Sequence, residues 1–215
     1  MTAVASEPAT ALARAIRRPA VQDEAEERCD VCGIAIAPAH RHLVDGQSGE
    51  LQCACQACTV LFQRDASAPE AGPSGGPGRF RLVPDRRERL AELPVDELAE
   101  LGLPVGLAFI VAHPDGTALA HYPSPAGATR WDLDAADWQR VTERCPPLAG
   151  LEPEVQALLL NTARGRRDHW IVPIDDCYRL VALIRKEWRG LSGGATVWPA
   201  IADFFTGLEE RKDHG

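Results

Sequence analysis

Two closely spaced cysteine groups constrain this chain more than any other feature: Cys29-Asp-Val-Cys32-Gly33 and, about 20 residues further on, Cys53-Ala-Cys55-Gln-Ala-Cys58. Five of the seven cysteines fall in this stretch. A tetrahedral metal site needs such spacing, because each Cys-x-x-Cys forms a tight knuckle presenting two thiolates and the chain between them folds one knuckle onto the other. Gly33 directly after Cys32 suits the knuckle, where the backbone must turn back toward the sulfur with a positive φ. His40 to Val44 and Glu50 to Cys53 are expected to pair as a hairpin around Asp45-Gly46-Gln47-Ser48-Gly49. Gln56 to Arg64 is compatible with a helix, which places Cys55 and Cys58 in a first turn whose dipole favours thiolates.

Knuckle, hairpin and helix in that order resemble a treble-clef zinc finger, and a strand in place of the helix would make a zinc ribbon. The expected metal ligands are Cys29, Cys32, Cys55 and Cys58, and the expected metal is zinc. Cys53 can replace Cys55, or remain a buried small hydrophobe. As a fifth thiolate it favours an iron or iron-sulfur centre. His40 and His42 lie two apart on one strand face, where each can be a ligand, a hydrogen-bonding neighbour of the site or part of a surface that docks a partner. His42-Leu-Val-Asp45 is similar to the hairpin of HNH nucleases, yet the Asn and helical His of that motif have no counterpart here.

The charge pattern also argues against a nucleic-acid partner. Formal net charge is −8, and phosphate neutralisation needs a basic surface. No 20-residue apolar span is present, and Arg17-Arg18 lack the apolar region that follows in an export signal. A cytoplasmic location with no membrane span is expected. In that reducing compartment clustered cysteines bind metal more often than they pair as disulfides.

The chain of 215 residues divides by composition into four parts. Residues 1–27 are expected to be a disordered N-terminal segment, 28–65 a Cys-rich metal-binding module, 66–78 a Pro/Gly linker and 79–215 an α+β domain with a mainly antiparallel sheet. Phe80 to Val83 reads as a strand, and Asp85 with Glu88 has capping-box spacing for a helix through Leu93. Val105 to Ala112, Pro114-Asp115-Gly116 and Thr117 to Tyr122 read as a hairpin. Asp134, Asp137 and Trp138 start one helix, and Glu154 to Arg164, with Val155, Leu158 and Leu159 on one face, reads as the next. Trp170 to Ile174 and Cys177 to Lys186 read as strands, with helix as the competing reading of the second. Pro199 sits in the first turn of a last helix carrying Ile201, Phe204, Phe205 and Leu208.

The larger domain offers no catalytic set by spacing. His113, His121 and His169 are scattered, so Asp175-Asp176-Cys177-Tyr178 reads as strand-end acids and a buried thiol, and Cys145 as structural. Tyr122 to Thr129 reads as a loop joining strand to helix, and Arg164, Arg166 and Arg167 as a solvated helix end.

Cys29-x-x-Cys32-Gly33, His40-Arg41-His42-Leu43 and Cys53-Ala-Cys55-x-x-Cys58, with Tyr122 to Thr129, Ile174-Asp-x-Cys177-Tyr178 and Trp188-Arg-Gly-Leu-Ser-Gly-Gly194, are similar to an uncharacterised bacterial family encoded in uptake nickel-iron (NiFe) hydrogenase gene clusters. The resemblance implies an accessory role in assembly, docking or electron delivery, with a hydrogenase subunit or maturation factor as partner. A non-enzymatic protein with structural zinc is the leading expectation. An iron or iron-sulfur electron carrier using the same cysteines, and an enzyme with an unrecognised site in the second domain, are the alternatives.

Overall fold

The computed structural model describes residues 27–63, 79–90, 93, 101–103 and 106–212. The expectations for residues 1–26, for the 66–78 linker and for the end of the metal module lie outside these. The chain divides into two compact units at Leu82/Val83. Their cores differ greatly in size.

The first unit is built on strands β1 (Arg41–Asp45), β2 (Leu51–Ala54) and β3 (Phe80–Leu82), in sheet order β2-β1-β3, with all pairs antiparallel. A one-turn helix α1 (Gln56–Thr59) follows β2 and continues as a 3-10 turn over Val60–Phe62. The second domain was expected to begin at Arg79 with the strand at Phe80. That strand instead pairs Leu43 with Leu82 and Asp45 with Phe80, and so completes the small sheet. Its anchor is the buried Asp45 carboxylate, which accepts from Arg79 Nε and Arg79 Nη2, the latter at 2.7 Å. The Arg79 guanidinium holds the Asp45 carboxyl down at about 2. Gly46 N–H donates to the Arg79 carbonyl at 2.7 Å and clamps the same corner.

The described residues of the second unit form one six-stranded, wholly antiparallel sheet in the order β4-β9-β8-β5-β6-β7. Its strands are β4 (Glu88–Arg89), β5 (Leu107–Ala112), β6 (Ala118–Ser124), β7 (Gly127–Asp132), β8 (Gln156–Asn161) and β9 (Asp168–Pro173). Helices α2 (Ala135–Arg144) and α3 (Pro146–Ala149) lie between β7 and β8, and α4 (Ile174–Glu187) and α5 (Val197–Lys212) follow β9. The α+β class and the antiparallel sheet are as the sequence implies. Alternation along β5, β6 and β8 sends Ala108, Ile110, Ala118, Ala120, Leu158 and Leu160 to one face, where Trp138, Val141 and Leu148 cover them. The intervening Phe109, Ala157, Leu159, Trp170 and Val172 are buried as well, and α4 packs on β6 to β9. A sheet buried on both faces explains the continuous apolar runs of its central strands.

Four expectations are overturned here. Glu154 to Arg164 is not a helix: Gln156–Asn161 forms β8, hydrogen-bonded between β5 and β9 with every residue buried. Cys177 to Lys186 is not a strand but lies within α4, whose Ile174, Cys177, Leu180, Val181 and Ile184 bury one helical face. Asp85 and Glu88 do not cap a helix, since Glu88 and Arg89 pair with Ile171 and Trp170 and Glu88 binds the Arg86 guanidinium. Tyr122 to Thr129 is not a strand-to-helix loop but the end of the β6–β7 hairpin, with Tyr122 opposite Thr129 and Ser124 opposite Gly127. The N-cap of α2 is as expected, with Asp134 accepting from the amides of Ala136 and Asp137.

His121 lies on β6 with its ring stacked on Phe109 at 4.8 Å. Burial, assisted by repulsion from Arg130 and His113, pushes its imidazole from 6.5 down to about 4. The folded value lies below the unfolded one, so unfolding takes up a proton in that interval. Stability is therefore whole above pH 6.5 and falls as pH drops through about 4, by at most about 3 kcal/mol. His121→Phe keeps the stack and is expected to flatten the dependence of the urea midpoint on pH across this window; an unchanged slope would place the pH sensitivity elsewhere.

Candidate metal centre

The first knuckle forms because Cys29 N–H donates to the Ile34 carbonyl and Gly33 N–H returns to the Cys29 carbonyl, each at 2.8 Å. Gly33 adopts φ 76, which a side chain would strain. An isolated bridge between Arg28 and Ala35 closes its base. The second knuckle starts where β2 ends. Cys55 is the N-cap of α1, and its sulfur accepts from Cys58 N–H at 3.4 Å. The two knuckles meet through Cys55 N–H, which donates to Cys29 Sγ at 3.3 Å, and through Asp30 and Cys53. Asp30 N–H donates to the Cys53 carbonyl at 2.8 Å, while Cys53 N–H donates to Asp30 Oδ2 at 2.6 Å.

These contacts bring the sulfurs of Cys29, Cys32, Cys55 and Cys58 within 4.8 Å of one another, and the four can hold a metal ion. A metal-sulfur distance of about 2.3 Å in tetrahedral geometry separates ligand sulfurs by about 3.8 Å. Cys32 Sγ and Cys55 Sγ lie 3.8 Å apart. Cys29, Cys55 and Cys58 are buried against Ile36, whereas Cys32 is exposed. The ionisation of the group is uneven. Burial pushes the Cys29 thiol up, but the amides of Cys55, Cys32 and Val31 donate to it and outweigh that effect, leaving it at about 6. The neighbouring Cys55 sulfur and burial push Cys58 up to about 12. Packed thiolates repel one another, so full ionisation of the four needs a cation between them.

A second group lies on the β1–β2 hairpin. His42 stands directly opposite Cys53 in the register, and the His40 and His42 rings are 4.6 Å apart. The His40 side chain is only 7% exposed, so it is not the surface group a docking face requires. In the second unit, Cys177 is fully buried and burial raises its thiol well above the usual value, which makes it a poor nucleophile. Asp176 is equally buried and bound to three arginines, not at a strand end as the sequence suggested. Arg164, Arg166 and Arg167 are exposed, as a solvated run should be, but they lie in the connection between β8 and β9 and not at the end of a helix; Arg164 stacks over the Trp198 ring at 4.4 Å and Arg166 pairs with Asp168.

The family model described as "Family of unknown function (DUF5947)" matches residues 28–212. The chain belongs to that family. The match takes in both cysteine pairs, His40, His42, Cys53 and all the described strands and helices. No curated protein and no solved structure gives a significant match. None of the described helices is long and apolar enough to cross a membrane.

Proposed function

We propose that this protein is a non-enzymatic accessory factor whose Cys29, Cys32, Cys55 and Cys58 hold structural zinc in a treble-clef arrangement, and that it acts in the cytoplasm by contact with a nickel-iron hydrogenase subunit or maturation factor. The observation that carries the metal reading is the 3.8 Å sulfur separation between the two knuckles, the spacing of a closed tetrahedral thiolate site, and four thiolates closed around one ion are the usual donor set of structural zinc. A closed set of four thiolates leaves no position for substrate, so its role is to hold the small unit together. Val31 and Ile34 on the first knuckle, and Val60 and Leu61 after α1, are exposed large apolar side chains. Side chains of this kind, held on a rigid scaffold, suit a protein contact better than turnover. The hydrogenase connection rests on the resemblance carried by the cysteine, His40-Arg41-His42 and Trp188 to Gly194 motifs.

Electron delivery by iron in the same four cysteines is the second reading, and the exposure of Cys32 favours it, because a surface sulfur provides an exit for the electron. Colour and elemental analysis of anaerobically purified protein separate the two. For the partner, affinity purification from cells expressing the hydrogenase is expected to recover a hydrogenase subunit or maturation factor. Leu61→Asp is expected to lower that recovery about tenfold, the cost of about 1.4 kcal/mol of apolar contact, without changing metal content. Absence of any hydrogenase component after crosslinking would count against the assignment.

A further inference from the structure

We propose that His40, His42 and Cys53 form a second cation site, taking a borderline divalent transition ion such as Zn2+ with its fourth position open to water or to a donor from a partner. One ring nitrogen from each histidine and the Cys53 sulfur lie within 4.8 Å of one another. None of the three belongs to the four-cysteine group. Two imidazoles and a thiolate are the donor set of an open zinc site, in contrast to the closed set of four sulfurs.

His40 carries the argument furthest. Its Nδ1 lies 2.9 Å from the Ala37 carbonyl and 3.4 Å from Glu27 Oε2, and both of these only accept hydrogen bonds. Nδ1 therefore holds the proton and Nε2 the lone pair. That Nε2 is buried and has no hydrogen-bond partner. Leaving a buried acceptor unmet costs about 1–3 kcal/mol, and a cation at Nε2 removes the cost. A ring held by a carbonyl and a carboxylate on one nitrogen, with the other bare, is the way metal-binding histidines are oriented.

The other two donors sit on a fixed frame. His42 and Cys53 are paired across β1 and β2, and Asp30 holds the Cys53 backbone at both its amide and its carbonyl. Tetrahedral binding separates nitrogen and sulfur donors by roughly 3.3–3.8 Å, so loading asks for side-chain closure of about 1 Å and no change of backbone register. The three protein ligands leave one position open, which makes this ion exchangeable where the four-cysteine ion is not.

The site does not depend on the proposed partner or on the identity of the first metal. The test is titration of the reduced, full-length protein with Zn2+ against a chromophoric chelator, followed by Co2+ in place of Zn2+ to read thiolate-to-cobalt charge transfer. A second, weaker equivalent is expected beyond the tight one. His40→Gln, His42→Gln and Cys53→Ser are each expected to lower its affinity by at least about 100-fold, more than loss of an outer hydrogen-bond partner costs, while the tight equivalent stays. Cys29→Ser should remove the tight one and, because it unfolds the unit that carries the hairpin, the weak one with it, whereas the three hairpin variants remove the weak one alone. A single equivalent in the wild-type protein, a second one indifferent to all three variants, or loss of the tight ion in Cys53→Ser would overturn the proposal.

Discussion

Cys29→Ser is expected to release the tightly bound ion and to unfold the first unit, leaving the melt of the second unit in place. Cys29 is the most buried of the four cysteines, and its sulfur receives the Cys55 amide across the knuckle junction. The unit it holds together has little else. Its buried apolar residues besides the cysteines are Leu43, Val44 and Ala54, among the described residues. Chains this short bury too little surface to fold on hydrophobic burial alone. Structural zinc in comparable modules contributes an apparent 10–16 kcal/mol at pH 7, roughly, and that binding energy is folding energy. The second unit draws on a separate core running from Leu90 to Ile171, with no cysteine of the cluster in it. Chelation of the wild-type protein should reproduce the variant: the hairpin amides lose hydrogen-exchange protection and those of β5, β8 and β9 keep it. Cooperative loss of both sets together would contradict this division.

Asp176→Asn is expected to destabilise the second unit by about 3–5 kcal/mol, the cost of breaking a buried, hydrogen-bonded charge group. The carboxylate is fully buried in the first turn of α4, where the helix dipole favours it. It accepts from Arg87 Nε at 2.6 Å and Arg179 Nη1 at 2.9 Å, and Arg211 Nη2 lies 3.5 Å away. Arg87 comes from the segment before β4 and Arg211 from the end of α5, so one carboxylate ties three parts of the unit. The Arg87 side chain is 12% exposed and becomes a buried cation with no counter-charge once Asp176 is neutral. A further Arg87→Met change on the Asn variant should recover part of the loss, measured as urea midpoints. A loss below about 1 kcal/mol would mean that solvent reaches the pair.

How far the chain could be read from its residues followed from the physics of each segment. The knuckles were legible because sulfur spacing and Gly33 are local requirements, and the described fold places Cys29, Cys32, Cys55 and Cys58 together as that spacing implies. The hairpin strands and the Asp134 cap were legible for the same local reason. The β8 strand was not, since Val155, Leu158 and Leu159 match helical spacing only because Leu158-Leu159-Leu160 fills both faces of a covered sheet. In α4, dense Leu, Val and Ile match a buried strand as well as a buried helix. The better signal was charge, with Asp175 and Asp176 in the first turn and Arg185 and Lys186 in the last. Asp176 itself gave no sign of its cage, because Arg87 and Arg211 lie far from it in sequence. The His40, His42 and Cys53 group was half legible: alternation put the histidines on one face, but the register that sets Cys53 against His42 is a tertiary fact.

The proposed role of the first unit rests on zinc held by the four thiolates of the knuckles. X-ray absorption at the zinc edge on anaerobically purified His42→Gln/Cys53→Ser protein, in which the hairpin site is disabled, tests it most directly. One zinc per chain, surrounded by four sulfurs at about 2.3 Å, is expected. Iron in place of zinc, or a shell that includes nitrogen or oxygen, would contradict it.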